Sequence, residues 1–256
     1  MNIVVTLKQT FDTETNISIS DGKINDAGVK LVINPYDEFA IEEALKLKEE
    51  FGGEVTLVSV GGPGIETALR TGLAMGADKA VLIQNTDLTV VDEVVVAEIL
   101  AKQISSMPYD IILSGRIDTD YQASQVAVRL AEILEIPSVS SLLKLEFEGE
   151  KAVVVREMDG GAVTLEVTMP ALFTCQKGLN EPRLPNMKGI MMAKKKEILN
   201  VPFEDLGLDA EKLVTKSEVT AFNMPEPRSA GKVIPGEAAE AAAELARILR
   251  EEAKVI

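Results

Sequence analysis

Apolar and polar positions fall into two alternating registers over the first 140 residues. Residues 3–7 are a continuous β-branched apolar run, which predicts a strand buried on both faces. Between 37 and 51, Phe39, Ala40, Ile41, Ala44, Leu45 and Leu47 recur at helical spacing, with Glu and Lys outside. Asn34-Pro35 precedes that run, so Tyr36 and Asp37 read as cap and first turn. The pattern continues with strands over 55–60, 80–83 and 110–114, and helices over about 65–75, 90–104 and 122–134. Strands separated by helices pair in parallel through right-handed crossovers. The expected fold class is therefore α/β, a doubly wound, mostly parallel sheet.

After residue 142 the period shortens. Asp159-Gly160-Gly161 lies between Val153-Val154-Val155 and Leu165 with Val167, which is hairpin chemistry because glycine accepts the positive φ of a tight turn. This predicts an antiparallel extension of the sheet, ending in a more buried strand at 171–174. From 176 to about 235 prolines are frequent and periodicity is lost, as in an arm that wraps a partner. An alanine-rich helix over about 236–254 keeps Ala239, Ala242, Leu245, Ile248 and Leu249 on one side, a docking face for its own domain or for a partner. The expected division is a nucleotide-binding α/β domain at 1–178, an extended arm with a docking loop at 179–235, and a C-terminal helix at 236–256.

Composition narrows the chemistry. The 256 residues hold 41 acids against 26 bases, a net charge of −15, which argues against nucleic acid and anionic membrane surfaces as partners. There is no histidine, so Ser-His-Asp and Cys-His catalysis and His-ligated metals are excluded. The single cysteine, Cys175, excludes an internal disulfide and a cysteine-cluster metal site, and it reads as a small buried hydrophobe. No apolar run approaches the length of a membrane span, and the chain enters a strand at once without a signal-like segment. A soluble, cytoplasmic protein with no membrane insertion and no metal is expected.

In a doubly wound sheet, ligands bind beyond the carboxyl ends of the strands where strand order reverses. Four loops fall at such ends: 8–13, 34–37, 61–64 and 115–125. The third, Gly61-Gly62-Pro63-Gly64, is not a GxGxxG fingerprint and is ordinary turn chemistry more often than a phosphate cradle. In the fourth, Gly115 ends a strand, Arg116, Asp118, Thr119 and Asp120 follow, and a helix begins near Gln122–Gln125. Its free N–H groups suit a phosphate; the plainer reading is a helix capped by Asp120.

The order Arg156, Asp159-Gly160-Gly161, Pro170-Ala171, Asn180-Glu181-Pro182-Arg183 and Met192-Ala193-Lys194-Lys195-Lys196 resembles the signature region of electron transfer flavoprotein β subunits, and the resemblance extends over nearly the whole chain. It implies a Rossmann-like, adenine-nucleotide-binding type of sheet in an electron carrier subunit that is no enzyme by itself. Such a subunit pairs with an α subunit that supplies most of an FAD site. It takes electrons from a flavin dehydrogenase such as an acyl-CoA dehydrogenase and passes them to a quinone or other redox acceptor. In this family the domain holds AMP, or a second FAD in electron-bifurcating members. The cofactor-binding positions implied are Thr6, Lys8 and Thr13; Asn34, Tyr36 and Asp37; Val60, Gly61 and Gly62; and Gly115, Arg116, Asp120, Ala123, Ser124, Gln125 and Val126. The family's phosphate-contacting turn carries threonine and glycine where this chain has Val126 and Ala127, so AMP, a second FAD and an empty site all stay open.

The resemblance also implies that the segment after Asn180-Glu181-Pro182-Arg183 docks the partner dehydrogenase, with Met187 as the apolar anchor and Leu184 and Met191 beside it; the plainer reading packs Met187 on its own subunit. Lys194-Lys195-Lys196 reads as a solvated basic patch able to steer an acidic surface. Two other readings compete. A stand-alone adenine-nucleotide ligase or hydrolase would need a phosphate loop that the chain lacks, and a non-redox nucleotide-sensing module would end near residue 140.

Overall fold

The first apolar run forms strand β1 (Asn2–Thr6) at the middle of the sheet. The computed structural model describes residues 1–25, 27–84, 92–149, 151–209, 213–228 and 230–256. After β1 come four short strands, β2 (Gln9–Phe11), β3 (Ser18–Ser20), β4 (Lys23–Asn25) and β5 (Leu31–Ile33); β2 pairs with β5 and β3 with β4, both antiparallel. The alternation continues through α1 (Pro35–Phe51), β6 (Glu54–Gly61), α2 (Glu66–Met75), β7 (Lys79–Gln84), α3 (Glu93–Ile104), β8 (Ile111–Gly115) and α4 (Val126–Ile133). Then come β9 (Ser138–Glu148), β10 (Lys151–Met158), β11 (Gly161–Thr168), β12 (Ala171–Cys175), α5 (Met187–Ala193), β13 (Ile198–Pro202) and α6 (Ala238–Arg247).

Nine described strands make one sheet in the order β11-β10-β9-β12-β8-β1-β6-β7-β13. It is parallel from β9 to β13 and antiparallel at β9-β10-β11. The chain moves outward from β1 through β6 to β7, then returns to place β8 on the other side of β1. That reversal is where a ligand crevice opens in such sheets.

Two-sided burial explains the apolar runs. Ile3 and Val5 enter one core with Ile41 and Leu69, while Val4 between them enters the other with Ile99 and Leu130. The α/β class, the doubly wound sheet and its antiparallel extension are as the pattern predicted. Cys175 is fully buried and free, and burial raises its thiol well above the usual range, with the carboxyls of Glu43 and Asp37 adding to the rise.

Several boundaries differ. Helix α1 begins at Pro35, because a proline ring presets φ for a first helical turn. Helix α4 begins at Val126, not at 122, since Gln122 sits at φ 54° and ends the preceding turn. The helix expected from residue 90 is seen from Glu93; residues 90 and 91 lie outside the described residues. Within the segment read as an arm, β13 pairs in parallel with β7 and extends the main sheet. Strand β12 likewise runs parallel, between β8 and β9, and is no part of the antiparallel extension. Helix α6 buries none of its residues, so its apolar side does not pack on this chain's core. No helix among the described residues is long and apolar enough to cross a membrane.

Candidate functional site

The carboxyl ends of β1, β6 and β8 open into a cleft of about 530 Å³, at the point where strand order reverses. Thr6 and Ser114 tie the two central strand ends together, hydroxyl to hydroxyl at 2.8 Å. In the first turn of α1, facing these strand ends, sits Asp37, only 4 % exposed. Its carboxylate accepts from the backbone N–H of Lys8 (2.7 Å), the backbone N–H of Gly115 (3.0 Å) and the side-chain amide of Asn34 (3.1 Å). Burial pushes the Asp37 carboxyl up to about 7, against the downward pull of those donors and of the Lys8 charge. Gly115 is required by this approach: a Cβ there would lie 2.1 Å from Asp37 Oδ1 and 2.9 Å from its backbone nitrogen.

The fourth loop is fastened from inside. Lys8 Nζ reaches Asp118 and Asp120 at 2.7 Å each and stands 4.9 Å from the Tyr121 ring centre. Burial pulls the Lys8 ammonium down, but the two carboxylates outweigh it and raise it above its ordinary range. Asp118 and Ala123 close the turn reciprocally, through Ala123 N–H to the Asp118 carboxylate (2.8 Å) and Asp118 N–H to the Ala123 carbonyl (3.3 Å). The turn delivers Ser124, Gln125 and the first residues of α4 to the cleft wall. Asn34 also lines the cleft, and its Oδ1 is buried without a hydrogen-bond partner in the described chain.

Of the positions singled out in the sequence, Thr6, Lys8, Asn34, Asp37, Val60, Gly115, Arg116, Ala123, Ser124, Gln125 and Val126 line this one cleft. Thr13, Tyr36, Gly61, Gly62 and Asp120 do not. Asp120 spends its carboxylate on Lys8 and on the N–H of Tyr121. It caps no helix, because the chain turns once more before α4 starts. Gly61 turns away at φ 152° against Ile65, and the loop it opens is held to Gln9 through the Gly64 carbonyl. Nor do Tyr36 and Asp37 cap α1: Asn34 holds the cap position, without a side-chain cap bond.

Three wall elements were not singled out as site residues in the sequence. Asp118 looks like any loop acid until its partners are known. Asp92 was hidden inside a helix expected from residue 90, although an aspartate just before an apolar periodic run is a start signal. Ser217, Glu218 and Val219 come from an irregular segment remote in sequence.

The second expected region is α5. Asn186 caps it by accepting from Gly189 N–H (2.8 Å), and Gly189 packs so closely that a Cβ there would meet the Ala74 carbonyl of α2 at 2.3 Å. Upstream, Arg183 grips Glu42 of α1 with Nε (2.8 Å) and Nη2 (2.9 Å) and reaches Glu49, while Asn180 donates to Glu43 (2.8 Å) and to the Phe39 carbonyl (3.0 Å). Thus anchored, the segment leaves Leu184 88 %, Met187 75 % and Met191 65 % exposed. The lysine run is not wholly a solvated patch: Lys196 turns inward and donates to the Leu73 and Ala77 carbonyls at the end of α2. Among the described residues, no group of three metal-ligating side chains is arranged to hold an ion.

Comparison with known proteins gives the family. The family model for the electron transfer flavoprotein domain matches residues 21–206. The electron transfer flavoprotein subunit beta of Bacillus subtilis (strain 168) is 46 % identical over 257 residues, covering 100 % of both chains. The subunit beta of Syntrophomonas wolfei is 41 % identical, covering 100 % of this chain and 98 % of its own. That of Thermoanaerobacterium thermosaccharolyticum is 39 % identical, covering 94 % of this chain and 95 % of its own. With a parallel sheet, a crevice at its switch point and full-length relatives of one kind, the chain belongs to the electron transfer flavoprotein β-subunit family.

Proposed function

We propose that the chain is the β half of a cytoplasmic heterodimer that carries electrons from flavin dehydrogenases, such as an acyl-CoA dehydrogenase, to a quinone or other redox acceptor. An α subunit supplies most of the site for an FAD, the group that accepts and releases the electrons when bound. This chain adds the nucleotide cleft, the docking segment around Met187, and the chain after residue 222 with α6 as the parts that wrap the α subunit. Electrons pass by proximity of cofactors, so no side chain here has acid–base work to do.

The observation that carries the reading is the cleft itself, at the switch point, with the N-terminus of α4 and Ser124 on its wall. Free N–H groups at a helix start suit a phosphate. The unpartnered Oδ1 of Asn34 suits a hydroxyl or amino donor of a nucleotide. The charge of the wall favours AMP over a second FAD. Lys8 and Arg116 are its only bases among the described residues, against Asp37, Asp92, Glu93, Asp118 and Glu218, and Lys8 is already paired twice. The start of α4 with Ser124 suits a monophosphate; a longer phosphate chain would find only Arg116 as an unpaired cation on the described wall.

Acid release of ligands from the co-purified heterodimer tests this. One FAD and one AMP per heterodimer is the expected result. Two FAD without AMP would replace the AMP assignment with an electron-bifurcating subunit. A complex without flavin would overturn the electron-carrier reading in favour of a nucleotide-sensing module.

A further inference from the structure

Asp92 does two jobs with two oxygens. Its Oδ1 accepts from the N–H groups of Val94 (3.1 Å) and Val95 (3.0 Å), capping α3. Its Oδ2 accepts from the N–H groups of Lys216 (2.5 Å) and Ser217 (3.1 Å), more than 120 residues away. Six residues on, the N–H of Phe222 donates to the Gly22 carbonyl in the β3–β4 turn (2.9 Å), and the Phe222 ring stands 6.2 Å from that of Tyr121. Gly22 sits at φ 70° with Ala221 packed where a side chain would project. Between these two pins, Ser217, Glu218 and Val219 line the cleft beside Asp92, Glu93 and Val96.

The segment has no regular secondary structure, and residues 216–221 are exposed to solvent, so backbone pins and not core burial hold it. Segments of that kind open locally at low cost. Asp92, by contrast, is 8 % exposed at the head of a helix packed into the core. A rigid carboxylate thus holds a soft strap against the cleft wall formed by Asp92, Glu93, Val96, Leu100, Glu218 and Val219, and the one base of the strap, Lys216, is not among the residues that line the cleft. Such a lining suits the uncharged base of a nucleotide and not its phosphate.

We propose that residues 216–222 form a strap that closes over the base end of the bound nucleotide, and that Asp92 is the positioning residue that latches it. This rests on the cleft being a nucleotide site. The discriminating variant is Asp92→Ser, since serine caps a helix about as well as aspartate but is too short to serve two N–H pairs at once. In the heterodimer loaded with AMP, D92S is expected to release AMP at least about tenfold faster, the effect of losing hydrogen bonds to a charged group. Amide hydrogen exchange should rise over 216–222 and stay unchanged in α3. Phe222→Ala, which loosens the other pin, should move release in the same direction.

D92S releasing AMP at the parental rate, with 216–222 as protected as before, would overturn the strap. A parental complex that takes up neither AMP nor FAD would instead overturn the nucleotide reading, and the closing role with it. In that case hydrogen exchange in D92S still reports whether Asp92 holds the segment.

Discussion

Helix α1 places carboxylates in two settings little more than a turn apart, and their partners differ in kind. Asp37, in its first turn, is met by neutral donors: two backbone N–H groups and an amide, with the Lys8 charge turned to Asp118 and Asp120. Glu42, further along, is met by a guanidinium in a two-pronged grip and by the backbone N–H of Arg183. Neutral donors hold a carboxylate in place without cancelling its charge; a guanidinium fork cancels it and fixes the direction of the incoming chain. The first arrangement bridges the ends of β1 and β8 at the wall of an open cleft. The second closes the chain onto the helix and leaves nothing unfilled. One region is built to receive a ligand, the other to hold a projecting segment still.

Breaking the grip should have the larger effect. Arg183→Ala leaves Glu42, 5 % exposed, as a buried charge without its cation. Arg183 keeps 36 % of its side chain in solvent and its backbone N–H stays on Glu42, so the cost sits at the low end of the about 3–5 kcal/mol for breaking a buried pair. Urea unfolding should show that loss, while AMP content per folded heterodimer stays at the parental value. Loss of AMP as well would mean that α1 transmits one region to the other, and the contrast between them would collapse.

At the cleft, Gly115→Ala forces a methyl group against the Asp37 carboxylate and the backbone of α1. Overpacking of this kind costs about 1–3 kcal/mol, and AMP content should fall with it, because Gly115 and Asp37 both line the cleft. Retained AMP with lowered stability would place the ligand away from this end of β8.

Charge distinguishes the two regions further. The folded-state Asp37 carboxyl at about 7 lies above its ordinary value of 3.8. The folded protein therefore holds this proton more tightly than the unfolded chain, and the stabilisation is complete below about pH 4 and lost as pH rises through 7. The slope it contributes is up to about 1.4 kcal/mol per pH unit in that window. Asp37→Asn removes the titration, so its stability should fall less than that of the parent between pH 5 and pH 7 in paired urea titrations. Parallel curves would show that the three donors keep Asp37 ionised throughout.

How far the sequence could be read follows the same division. Strands buried on both faces announce themselves, so β1, β6, β7 and β8 were legible from runs such as residues 3–7. Most of the cleft followed, since strand ends at a switch point are fixed by topology. Strand β13 was not legible: only Ile198 of its five residues is buried, and an edge strand inside a proline-rich segment lacks the two-sided run. Partnerships across long separations were invisible too. Nothing near Lys196 says that it caps α2, nothing near Glu42 names Arg183, and Asp92 gives no hint of residues 216–217.

The smallest effect on the fold is expected where the docking reading is tested. Met187 opens α5 and is 75 % exposed, so Met187→Glu removes no core contact and places an acid at a helix start, where it is favoured. Stability should stay within about 0.5 kcal/mol of the parent. An apolar anchor entering a partner's pocket would lose that contact entirely, so reduction of the heterodimer by an acyl-CoA dehydrogenase should slow markedly at unchanged FAD content. An unchanged rate would shift the role to Leu184, still more exposed at 88 %, or to Met191. If Leu184→Glu and Met191→Glu were also silent, the clamp formed by Arg183 and Asn180 would be holding this segment for a purpose other than docking a dehydrogenase.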